Sequence, residues 1–132
     1  MPTRIIKAVA WGDFAITLPF AVPFIAEALI ALIYGIDRAL GFDTPALFFE
    51  AGPFGLMFVH IMGVLGVVWA AARLRQPLPE LARIDAVARL VVAALIIYAI
   101  SMGATPVLWL FVVTEIGGSV LQFTALRKRT TN

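Results

Sequence analysis

Three ionisable side chains stand inside long apolar runs of this 132-residue chain: Glu27, His60 and Glu115. Ionisable groups at membrane depth are costly, face the interior of a helix bundle, and mark functional sites by default. A carboxyl taken out of water prefers its neutral form, and an imidazole tends to lose its proton. Placed together, a Glu and a His share one proton and titrate as a coupled pair. A second Glu then supplies both an acid and a base in one apolar site. With Glu27, His60 and Glu115 as catalytic residues, such a site can move a proton on a lipophilic substrate, as in double-bond isomerisation or epoxide or ring opening. The same groups can instead carry protons or a cation across a membrane.

Helical phase groups further residues around the three. Glu115, Ser119 and Gln122 follow an i, i+4, i+7 pattern with Gly118 beside them, which puts a polar stripe on the inward face of its run. Phe20, Phe24, Glu27, Ala31 and Tyr34 share a face, as do Ala94, Tyr98 and Ser101. Gly63, three residues after His60, permits close helix approach. Phe24, Tyr98, Ser119 and Gln122 are therefore the expected substrate-binding side chains. Counted from the outer ends of their runs, Glu27, His60 and Glu115 lie roughly 10, 10 and 14 Å deep at 1.5 Å per residue, one layer of an apolar, aromatic-lined cavity.

The elements that must hold this layer are set by composition. The chain is 62% hydrophobic and 14% charged, with a mean hydropathy of +1.00. A soluble domain is about half apolar and about a quarter charged. A soluble enzyme, a disordered chain and a nucleic-acid-binding domain are thereby excluded; the net charge is only +2. There is no cysteine, which removes disulfides, thiolate metal sites, iron–sulfur clusters and Cys nucleophiles. With a single histidine, no metal site and no cofactor are expected; a haem would need its second axial ligand from elsewhere.

Apolar runs extend over Phe14–Tyr34, Pro53–Leu74, Ala86–Met102 and Pro106–Leu126, each long enough to cross a hydrocarbon core of about 30 Å as a helix. The first is longer than the roughly 7–15-residue core of a signal peptide and carries Glu27, so it reads as a retained helix. Short links force antiparallel neighbours. The expected fold is all-α, an integral membrane up-down four-helix bundle, with residues 1–132 as a single four-span domain. Thr105 and Pro106 suit the N-cap and first position of the last helix. Arg4, Lys7, Arg73, Arg75, Arg83, Arg127, Lys128 and Arg129 fall on one side, with Arg89 a turn inside and snorkelling out; Arg38 falls opposite, among Asp37, Asp43 and Glu50. The positive-inside rule then places both termini in the cytoplasm of a multi-pass cell-membrane protein. Trp11 and Trp69 mark the cytoplasmic interface and Trp109 the outer one. Ile5–Trp11 reads as an interfacial segment or a frayed terminus, Asp13 as an acid at a helix start, and Asp43–Glu50 as a short capped outer helix.

Each polar residue also has a structural role open to it: His60 as an interhelical hydrogen-bond partner, Glu115 with Ser119 and Gln122 as glue between helices, Arg127–Arg129 as a topology anchor. The functional expectations are three: an acid/base enzyme, isomerase-like, acting on a hydrophobic small molecule; a proton-coupled small-molecule transporter; or an accessory subunit of a membrane complex. Membrane lipid, a hydrophobic ligand, and a homo-oligomer or membrane complex are the expected partners. In size, span number and the Glu27/His60/Glu115 layer, the chain resembles the sterol-isomerase-like four-helix membrane domains of the EXPERA group. The resemblance is one of layout; no motif aligns residue by residue, so it assigns no catalytic residue.

Overall fold

The computed structural model describes residues 2–45 and 52–130. They form helices α1 (Pro2–Ala21), α2 (Ile25–Ala39), α3 (Gly52–Arg75) and α4 (Pro79–Ser101), a 3-10 turn (Pro106–Leu108), and α5 (Trp109–Thr130). α3, α4, and α5 with its preceding turn are each long and apolar enough to cross a membrane, at 24, 23 and 23 residues. Each is about 35 Å long, against a hydrocarbon core of about 30 Å. Their large apolar side chains point outward: Leu65, Leu95, Leu110 and Val113 are all well exposed. The inner face of α4 is built from the small residues Ala82, Ala86 and Ala93. Large residues outside and small ones inside is the arrangement by which helices associate in lipid, where there is no hydrophobic force between them.

The first apolar run is not the single helix expected over Phe14–Tyr34. α1 ends at Ala21, α2 begins at Ile25, and the two meet at 103°. Pro23 has no N–H to continue the helical ladder and disfavours the helical conformation at Val22. Phe24 then takes a φ of 67°, a left-handed conformation uncommon for a residue with a side chain. Counted as one span, the bent pair brings the helices long and apolar enough to cross a membrane to four among the described residues.

α1 packs along α3 and α4 along α5. At Gly63 a Cβ would lie 2.3 Å from the Ala21 nitrogen, so only glycine allows α1 and α3 to approach this closely. Ser119 Oγ donates to the Ala86 carbonyl at 2.8 Å, tying α5 to α4. The segment Ile5–Trp11 is not frayed. It is the first half of α1, and Ile6 is buried in a cluster with Ala82 and Leu126.

After the bend, α2 runs to the α4–α5 connection. There the fully buried Asp37 accepts from the Thr44 nitrogen at 2.8 Å, from Thr44 Oγ1 at 2.6 Å, and from Thr105 Oγ1. Thr105 also caps the 3-10 turn, accepting from the Val107 nitrogen at 3.2 Å with Pro106 in the first position, as the sequence predicts. Residues 46–50 of the predicted outer helix lie outside the described residues.

Candidate functional site

The interior holds a charge network that draws on four helices. Asp85 and Arg89 stand one turn apart on α4 and pair through Oδ2 and Nε at 2.8 Å. Arg73 of α3 donates through NH1 to the same Asp85 oxygen at 2.7 Å. Asp13 of α1 accepts from both Arg73 and Arg89. Arg89 completes its fork with Glu115 of α5 at 3.1 Å. Trp69 Nε1 and Gln122 Nε2 also donate to Asp85, at 2.6 and 2.8 Å, and the Arg73 guanidinium lies 5.6 Å from the centre of the Trp69 ring. Asp85 thus accepts four hydrogen bonds and is the hub. Buried ions persist only when paired and hydrogen-bonded, and here the partners come from different helices, so the network fixes their register. Gly118 makes room for it: a Cβ there would sit 2.8 Å from an Arg89 nitrogen.

Beside this network opens a cavity of about 650 Å³, within the usual range for a small-molecule site. Its walls are largely apolar and aromatic, with Ile16, Phe20, Val59, Val92, Ile96 and Phe111 among them. Ile30, Ile33 and Tyr34 of α2 line it together with Thr105 and Leu108. Asp13, Trp69, Arg73, Asp85, Arg89 and Glu115 supply its polar end. The two carboxyls most open to it are those of Glu115 and Asp13, with side chains 25% and 18% exposed, while that of Arg73 has no exposure.

The predicted acid/base trio divides into a pair and a single residue. His60 Nδ1 lies 3.0 Å from the Phe20 carbonyl. A carbonyl only accepts, so Nδ1 carries the proton and Nε2 is left facing Glu27 Oε1 at 3.9 Å. The break at Pro23 thus has His60 bonded to the last turn of α1 and Glu27 in the first turn of α2. Glu27 Oε2 is buried with no partner among the described residues. Glu115 joins Arg89 instead, and of the three it alone lines the cavity.

The four predicted substrate-binding residues stand elsewhere. Phe24 is 86% exposed at the bend, because its left-handed backbone turns it out of the α2 ladder. Tyr98 is 63% exposed on the outside of α4. Ser119 and Gln122 are buried as expected, but between helices, bonded to Ala86 and Asp85. None of the four lines the cavity.

Five members of the network were assigned other roles or none by the sequence. Arg73, expected among the basic residues on one side of the membrane, and Arg89, expected to snorkel to that side, are buried and paired. Asp13, expected at a helix start, lies well inside α1, and Trp69, expected at the interface, is bonded to Asp85. Asp85 carried no expectation. The signal that points to it is its i, i+4 spacing from Arg89 on the face that also carries Ala82, Ala86 and Ala93. No three His, Asp or Glu side chains among the described residues stand where they could hold a metal ion. Comparison with protein-family models, with curated proteins and with solved structures finds no match to this chain.

Proposed function

We propose that the chain is an integral membrane protein with four crossings, the bent α1–α2 pair counting as one, and that it binds a hydrophobic small molecule in its central cavity. The apolar body of the ligand fills the space between α1, α3, α4 and α5, and its polar end meets Asp13 and Glu115. The observation that carries this is the combination of a largely apolar cavity of about 650 Å³ with one charged end. That is the form of a small-molecule site: apolar walls for affinity and a few placed polar groups for orientation. Lipid covers the outward apolar faces of α3, α4 and α5. The basic residues Arg4, Lys7, Arg75, Arg83, Arg127 and Lys128 support a topology in the cell membrane with both termini cytoplasmic.

An acid/base role on the bound molecule falls to Glu115, with Asp13 beside it, because Glu27 and His60 do not line the cavity. The test is mass spectrometry of lipophilic compounds that co-purify in mild detergent with wild type and with Ala99→Phe. Ala99 lines the cavity, so the larger side chain occupies the ligand's space. A discrete compound present with wild type and depleted with Ala99→Phe is expected. Bulk lipid alone in both, with both proteins folded, contradicts the proposal.

A further inference from the structure

On the reading that the cavity holds a hydrophobic molecule, we infer the class of its polar end: the site takes a lipophilic cation, an amine on an apolar body. The charged groups that line the cavity are three carboxyls, Asp13, Asp85 and Glu115, against two guanidiniums, Arg73 and Arg89. Among apolar walls an unbalanced carboxylate is expensive and must either take up a proton or find a cation. A ligand with one positive charge restores balance, and one with a negative charge doubles the deficit.

Hydrogen bonding taken together with exposure gives the same answer. A carboxylate has about four lone-pair sites. Asp85 fills four, Asp13 accepts two bonds through one oxygen, and Glu115 accepts one. The under-used acceptors are the two partly exposed ones. The donors are the less accessible groups: the Arg73 and Arg89 side chains are 0% and 8% exposed, against 18% and 25% for Asp13 and Glu115, and every terminal guanidinium nitrogen already holds one carboxylate. The remaining Arg73 nitrogen, Nε, is buried and belongs to a side chain with no exposure. An anionic head would meet the two partly exposed carboxylates before the buried guanidiniums. An ammonium can add to Asp13 and Glu115 without breaking a bond, and charge-assisted bonds of this kind are the strong ones.

The experiment uses the full chain in lipid nanodiscs, with Trp11→Phe and Trp109→Phe introduced so that Trp69, which lines the cavity, is the fluorescent reporter. Decylamine, decanol and decanoate are titrated against it, with empty nanodiscs as the blank. The amine is expected to change the signal at a concentration at least about tenfold below the alcohol, with the carboxylate weakest of the three. Glu115→Gln is expected to bring amine and alcohol to within about twofold of each other. Arg89 keeps its bonds to Asp13 and Asp85 in that variant, and the order of the three probes on wild type tests the inference whether or not the variant folds. Alcohol or carboxylate binding as tightly as the amine overturns the cation assignment and leaves the cavity reading standing. An amine preference undiminished by Glu115→Gln overturns it too. No response to any of the three contradicts the cavity reading itself.

Discussion

Asp13 of α1 and Arg73 of α3 are joined by an ion pair across 60 positions of sequence, and the Arg73 side chain has no solvent exposure. The pair brings the N-terminal helix into a network with α3, α4 and α5. That network serves both as the lock that sets the helices against one another and as the polar end of the cavity. The two roles fall on different members: Asp85 and Arg73 hold, while Asp13 and Glu115 face the space a ligand would occupy.

The division predicts unequal mutational effects. Asp85→Ala leaves two arginines, Trp69 and Gln122 without their shared acceptor, and is expected to destabilise the protein by about 3–5 kcal/mol. Glu115→Gln removes one interaction of Arg89 and is expected to cost no more than about 1.5 kcal/mol. Thermal unfolding of both variants in one detergent checks the order. Equal losses contradict the hub role of Asp85.

Two glycines on neighbouring helices predict opposite outcomes. Gly63→Ala forces a Cβ into the backbone of Phe20 and Ala21 and is expected to destabilise by about 1–3 kcal/mol. Gly12→Ala, within α1, meets nothing within 4 Å and is expected to stabilise by about 0.5–1 kcal/mol through helix propensity. Side-by-side melting curves are sufficient.

At the break between α1 and α2, His60 satisfies the Phe20 carbonyl. His60→Ala leaves that carbonyl unpaired and is expected to cost about 1–3 kcal/mol. Glu27→Gln keeps the shape and can donate to His60 Nε2, so it is expected to lie within about 0.5 kcal/mol of wild type. Hydrogen–deuterium exchange at residues 20–30 reads the difference locally. Matching exchange in His60→Ala and wild type would remove His60 from the account of the bend.

The far end of α2 depends on Asp37. Thr105→Val removes one of the donors to this buried carboxylate together with the cap of the 3-10 turn, and is expected to cost about 1.5–3 kcal/mol. Thr44→Val tests the same carboxylate from the loop after α2. If both substitutions leave the melting temperature unchanged, Asp37 is not what holds α2 across the cavity.

Three helices long and apolar enough to cross a membrane were legible in the sequence because length and hydropathy alone specify them, and the cap at Thr105 because its chemistry is local. The bend at Pro23 was not, since proline inside an apolar run is compatible with a kinked but continuous crossing. What accompanies the sharp change of direction is the left-handed backbone at Phe24, which residue type does not encode. Arg73 and Arg89 near the ends of apolar runs look the same whether they anchor at a headgroup or fold inward. α4 begins at Pro79, earlier than the apolar run at Ala86 suggests, and this puts Arg89 about 15 Å along the helix rather than near its start. Depth counted from run ends placed Glu115 with Glu27 and His60. Azimuth decided otherwise, because Glu115 shares a side with Arg89.

The most direct test of the central claim is photolabelling in nanodiscs with a diazirine-bearing aliphatic amine, followed by peptide mapping. Occupancy of the cavity predicts adducts at Ile33, Val59, Ile96 and Phe111, competed away by excess unlabelled amine and lost in Ala99→Phe. Adducts confined to the outward residues Leu65, Leu95 and Val113, with no competition, would mean that the probe samples only the surrounding lipid and that the cavity is not a binding site.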